Sequence, residues 1–155
     1  MMNKLFRWIL FPLVFVWLSS CATVSTFHPV NPKASEHWRA QGKILVRYQD
    51  KIETASMDWQ QEAGQFDVRL YGPLGLGATE LKGRSTDRLV SKQILGDYSL
   101  PVSQLIDWLK GIKTKSVPGW AVQYQSYHQD GMPKLMTVAH QNLYLRIFID
   151  KWQFF

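Results

Sequence analysis

The chain has one cysteine, Cys21, in 155 residues, so an internal disulfide is excluded. Its histidines, His28, His37, His128 and His140, lie at no metal-ligand spacing. There is no nucleophile elbow and no P-loop. The glycine-rich stretch Gly72–Gly77 lacks the Lys-Ser/Thr pair and the strand-to-helix setting that phosphate binding needs. Asp58, Glu62, Asp67 and Glu80 are spread over alternating segments and turns, and none pairs with another as acid and base. These absences argue against an enzyme, and nothing calls for a metal or other cofactor. The basic residues are scattered, and neither a recognition helix nor an RNA-binding signature appears, so nucleic acid is not an expected partner.

Long apolar runs are also scarce. The main one, Trp8–Leu18, is broken only by Pro12, follows Lys4 and Arg7, and is too short to span a bilayer comfortably. Residues 1–20 read as a signal peptide. Leu18-Ser19-Ser20-Cys21 resembles a bacterial lipobox, which would make Cys21 the acylated first residue of the mature chain. The alternative is an ordinary signal peptide with an incidental cysteine. In Gram-negative lipoproteins an Asp after the cysteine holds the protein at the inner membrane. Ala22 stands there instead, so the resemblance implies outer-membrane sorting, facing the periplasm. Loss of Lys4 and Arg7 takes the formal net charge from +6 to +4, which fits an acidic partner or an anionic lipid surface without choosing between them. Residues 21–35, rich in Ser, Thr, Pro and Asn, read as a flexible tether, and 36–155 as one domain with one core.

Around Glu36–Ala40 the pattern suggests a helical turn ending at Gly42. Beyond it the period becomes two. Ile44, Val46 and Tyr48, then Ala55, Met57 and Trp59, then Phe66, Val68 and Leu70 alternate with polar neighbours. Shorter strands are expected at 78–82 and 87–90, and further strands at 119–128, 134–140 and 142–152. The spacing predicts an antiparallel meander curling into a barrel or half-barrel. One helix interrupts it over 100–111, with Pro101 near its start, Gly111 just past its end and Val102, Leu105, Ile106 and Leu109 at helical spacing. Such a helix needs an apolar surface to cover, and the concave face of the sheet is available.

Tyr71-Gly72-Pro73-Leu74-Gly75-Leu76-Gly77 is the odd feature. Its glycines and proline suit a tight turn, yet the tip carries leucines rather than Asn, Asp or Ser. Either the leucines fold back onto the core, or the tip is an exposed apolar point aimed at a membrane or partner. The tryptophans of the mature chain, Trp38, Trp59, Trp108, Trp120 and Trp152, pose a similar choice between an ordinary aromatic core and a lipid-lined cavity.

In order along the chain stand Gly42-Lys-Ile-Leu-Val-Arg47, Asp58-Trp59-Gln60, Tyr71-Gly-Pro-Leu-Gly75, Leu100-Pro-Val with Leu105-Ile-Asp-Trp-Leu-Lys-Gly111, and Gly119-Trp-Ala-Val-Gln-Tyr124. Behind a lipobox, this series resembles the LolB family of outer-membrane lipoprotein receptors in the lipoprotein localization (Lol) pathway, over most of residues 21–152. The resemblance implies a mainly β fold with α: an incomplete, half-open antiparallel barrel covered by a helical lid over a hydrophobic cavity. It implies acylated lipoprotein cargo taken from the periplasmic carrier LolA and placed in outer-membrane phospholipid, without nucleotide hydrolysis. The protruding leucine of the family's loop corresponds to Leu74, with Leu76 a helper by chemistry only. Strand alternation and the helix stripe nominate Met57, Trp59, Phe66, Val68, Leu70, Leu105, Trp108, Leu109, Trp120, Leu145 and Ile147 as cavity residues. A one-residue slip would exchange the two faces.

The chain departs from the family in length. Little room remains between Leu89 and Leu100 for a further helical segment, and between Gly111 and Gly119 for extra sheet residues. A compact receptor, most simply a monomer, is the preferred reading. The rival is an outer-membrane anchored structural or interaction lipoprotein that takes up no acyl chain.

Overall fold

The computed structural model describes residues 31–73, 77–90 and 98–155. The expected signal peptide, Cys21, most of the tether, Leu74 and Leu76 lie outside the described residues. Strands β1 (Trp38–Tyr48), β2 (Lys51–Glu62), β3 (Gln65–Tyr71) and β4 (Ala78–Arg84) form a meander. Then come two short strands, β5 (Arg88–Val90) and β6 (Ser99–Pro101), helix α1 (Val102–Leu109), and strands β7 (Ala121–Tyr127), β8 (Pro133–His140) and β9 (Leu143–Phe154). The seven long strands make one antiparallel sheet in the order β4-β3-β2-β1-β9-β8-β7. β4 and β7 do not pair, so the sheet is curved but unclosed. β5 and β6 form a separate ribbon. Among the described residues no helix is long and apolar enough to cross a membrane.

Alternation settles which face turns inward. Ile44 and Val46, Met57 and Trp59, Phe66, Val68 and Leu70, and Leu143, Leu145, Ile147 and Ile149 are buried together with Val102, Leu105, Trp108 and Leu109 of α1. One sheet face and one helix stripe therefore share a core. On the opposite face the apolar residues of β9 lie under cation stems. The Arg47 guanidinium sits 4.9 Å from the Tyr144 ring centre and the Lys134 ammonium 5.8 Å from that of Phe148.

Two local devices shape the scaffold. Between Gln41 and Gly42 the pairing of β1 with β9 shifts register. A side chain at Gly42 would put its Cβ 1.9 Å from the Phe148 carbonyl oxygen, so only glycine lets the two backbones close up there. At the end of α1, Gly111 takes a φ of 67°. That lets its own N–H donate to the Trp108 carbonyl at 3.0 Å, and the Ile112 N–H donate to the Asp107 carbonyl at 2.9 Å.

Two sequence expectations are corrected. The segment 36–40 is not a helical turn. Trp38 and Ala40 are wholly buried on one strand face and pair with β2 on one side and β9 on the other. Two-sided pairing outweighs local helix preference. The helix also starts later than expected, because Leu100 and Pro101 pair with Leu89 and Arg88 before the chain turns helical at Val102.

Candidate functional site: the apolar interior and its mouth

Helix α1 crosses the concave face with Leu105 and Leu109 directed into it. Between helix and sheet is a small void of about 30 Å³ with no polar surface in its lining. Ile44, Met57, Trp59, Val68, Leu70, Leu81, Leu145 and Ile147 form its sheet wall, and Leu89, Leu100, Leu105 and Leu109 close the other side. A void of this size and chemistry stays dry, since a water there would find no partner.

Eight of the eleven residues nominated from sequence line this void: Met57, Trp59, Val68, Leu70, Leu105, Leu109, Leu145 and Ile147. Phe66 is buried but packs against Trp59, ring centres 6.0 Å apart, away from the void. Trp108 is buried with its indole N–H donating to the Thr114 hydroxyl at 3.2 Å. Trp120 is only half-buried and lies beside Trp108 and His140, at 5.9 and 4.7 Å between ring centres. Sequence reasoning missed Ile44, Leu81, Leu89 and Leu100 as lining residues. Ile44 shares the phase of Val46, so its signal was present. Leu100 was assigned to the helix, and its place in β6 depends on pairing with a distant strand.

A wider, open groove of about 460 Å³ lies at the base of the Gly72–Gly77 loop. Ile44, Val46, Ala55 and Leu70 form its floor, and Ile52, Glu53, Thr54, Thr79, Gly72, Pro73 and Gly77 its sides. Ile44 and Leu70 line both groove and void, so the two adjoin. The loop is closed at its base by the Gly72 N–H donating to the Gly77 carbonyl at 3.2 Å and by the pairing of Tyr71 with Ala78. A third opening, about 410 Å³, lies at the other end of β2–β4 and is walled by charged and amide residues such as Glu62, Lys82 and Arg84.

Few polar contacts hold α1 to its surroundings. The Tyr124 hydroxyl donates to the Trp108 carbonyl at 2.8 Å, and burial pushes the pKa of that phenol up to about 12. The Lys110 ammonium, nearly buried, donates to the Ser35 carbonyl at 2.7 Å. Burial lowers the pKa of Lys110 and raises that of Asp107, and each partly offsets the other by its charge. Among the described residues no group of three or more His, Cys, Asp or Glu could hold a metal ion.

An apolar interior beneath one helix, adjoining a groove at the base of the Gly72–Gly77 loop, agrees with the motif series in the sequence. Residues 36–118 match the family model described as outer membrane lipoprotein LolB. The chain belongs to the LolB family. Curated relatives include the outer-membrane lipoprotein LolB of Francisella tularensis subsp. tularensis, 27% identical with 91% of each chain covered. That of Stutzerimonas stutzeri is 27% identical over 97% of each chain. That of Ectopseudomonas mendocina is 29% identical over 75% of this chain and 74% of its own. The LolB family match spans β1 to β6, α1 and the segment after it, and it includes six of the eight nominated residues that line the void, all but Leu145 and Ile147 of β9.

Proposed function

We propose that this protein is an outer-membrane lipoprotein receptor, anchored by an acylated Cys21 and facing the periplasm. It accepts lipoproteins from the periplasmic carrier LolA and inserts them into outer-membrane phospholipid. The observation that carries the reading is the adjoining of a wholly apolar interior under α1 to an open groove at the foot of the Gly72–Gly77 loop.

The mechanism needs no nucleotide and no catalytic group. Each CH₂ of a cargo acyl chain costs about 0.8 kcal/mol to expose to water, so the chain moves only between apolar surroundings. The resting void of about 30 Å³ is far too small for an acyl chain. Helix α1 acts as the lid and must lift, trading its own contacts with Met57, Trp59 and Ile147 for contacts with cargo. Its few polar ties, through Trp108 and Lys110, keep that movement inexpensive. Leu74, assisted by Leu76, then leads the cargo into the bilayer, which is the final sink. The covalent lipid at Cys21 is the only non-protein group the scheme requires, and the receptor works as a monomer.

The small resting void favours one alternative: an anchored interaction lipoprotein with a permanently filled interior. A transfer assay separates the two. LolA loaded with radiolabelled lipoprotein is mixed with the wild-type protein or with Leu74→Glu. The receptor reading expects wild type to take and deliver cargo, and the variant to take it but fail to release it into liposomes. No uptake from a demonstrably competent carrier would leave the interaction reading in its place.

A further inference from the structure

The outer face of the sheet is electrostatically divided. On its β2–β3–β4 side, together with Arg39 at the near end of β1, the outward cations other than Arg84 each have a carboxylate. Arg39 pairs with Asp58, Arg69 with Asp67 and Glu80, and Lys82 with the same two acids. The side built from β8, β9 and β1 differs. Strand register sets three outward rows across it: Ala139–Tyr144–Arg47–Ile52, Thr137–Arg146–Leu45–Thr54 and Leu135–Phe148–Lys43–Ser56. These rows hold three exposed cations and no acid, and among the described residues none of Lys43, Arg47 and Arg146 forms an ion pair.

The row that ends at Ile52 is the most amphipathic. Ile52 is 64% exposed, and it lines the groove shared with Pro73, so it stands beside the loop. Arg47, its cross-strand partner, lies over the Tyr144 ring. Asp50 sits in the β1–β2 turn and Glu53 pairs with the buried Val46, so neither occupies the outward rows, and Asp150, the acid of β9 in outward phase, lies past Phe148 at the end away from Ile52.

We propose that this cationic face and its Ile52 tip form a docking surface for an anionic phospholipid bilayer. It rests on the receptor reading, for which it supplies the orientation. Arg47, Arg146 and Lys43 lie against phosphates, Tyr144 lies at headgroup depth, and Ile52 enters the acyl boundary next to the loop. Charge complementarity selects the occupant: unpaired cations suit phosphate, and the compensated half of the same face gives a membrane no such purchase. The tilt brings the loop to the bilayer while the groove stays open for cargo.

The test uses the full mature, acyl-anchored protein in vesicles of phosphatidylcholine with and without phosphatidylglycerol. An environment-sensitive fluorophore is placed at Ile52→Cys and, separately, at Gln60→Cys on the compensated half. The emission at position 52 is expected to shift to the blue on anionic vesicles only, and that at position 60 not to shift. Each cation near an anionic surface contributes about fivefold to binding. Arg47→Gln with Arg146→Gln should therefore reduce the ratio of docked to undocked label about 25-fold. A label at position 52 that stays water-like on anionic vesicles overturns the proposal. So does a shift untouched by the double variant, or one that appears only when the carrier protein is added, which would assign the face to an acidic protein. Cargo uptake from LolA, measured in parallel, reports on the receptor reading itself: uptake without docking refutes the docking surface alone.

Discussion

The Lys110 ammonium and the Ser35 carbonyl, 2.7 Å apart and 75 residues apart in sequence, tie the end of helix α1 to the segment that leads into β1. Helix α1 is thereby fastened near the chain's entry to the domain. Beside it, Asp107 is held partly out of water, which raises its pKa. The native state binds its proton more tightly than the unfolded chain does, so its contribution to stability falls as pH rises from the unfolded value through the raised folded one. Asp107→Asn is expected to flatten that fall and to raise the melting temperature at neutral pH. Thermal melts from pH 3 to 8 check it.

Asp58 behaves in the opposite sense. Hydrogen bonding to Arg39 is the main cause of its lowered pKa, helped by the charges of Arg39 and Arg69 and by the Gln41 amide. Its stabilisation is present above the unfolded carboxylate value and lost as pH falls through the folded one. Asp58→Asn should cost about 1 kcal/mol at pH 7 and almost nothing at pH 2. Urea titrations at the two pH values measure the difference.

Gly42→Ala should be among the most damaging single changes to the sheet, since its Cβ would meet the Phe148 carbonyl oxygen at 1.9 Å. The strands must separate at the bulge, at a cost of about 3 kcal/mol or more. Chemical denaturation gives the size, and a loss well under 1 kcal/mol would mean that the bulge relaxes freely.

Tyr124→Phe removes the hydroxyl that donates to the Trp108 carbonyl while leaving the ring in place. A loss of about 1 kcal/mol is expected. Because the bond holds helix α1, amide exchange over Val102–Leu109 should quicken more than exchange in β1 or β9. Equal acceleration throughout would assign the bond to global stability.

The period of two in β1–β3 and β9 grouped Met57, Trp59, Val68, Leu70, Leu145 and Ile147 by phase but left open which face turns inward, and burial in the structure decides for that set. The stripe of α1 was legible by the same kind of grouping, at a period of 3.6. Trp38 was not. Its neighbours Glu36 and Arg39 look helical, and only pairing with β2 and β9, distant in sequence, makes it a strand residue. Leu100 escaped similarly, through its partner Leu89. Nor did the alternation reveal how tightly α1 fills the concave face, which depends on side-chain volumes meeting across elements. The division of charge on the outer face became visible only with strand register, since Arg47, Arg146 and Lys43 are scattered along the chain.

The central claim is that cargo acyl chains enter beneath α1. The direct test replaces Trp59, which lines the void and is 2% exposed, with p-benzoylphenylalanine. Radiolabelled lipoprotein is then supplied on LolA, and the mixture is irradiated before liposomes are added. The account expects a cross-link between position 59 and the cargo's acyl chain that disappears once liposomes have received the cargo. Efficient transfer with no cross-link at position 59, in a variant that melts cooperatively, would contradict it.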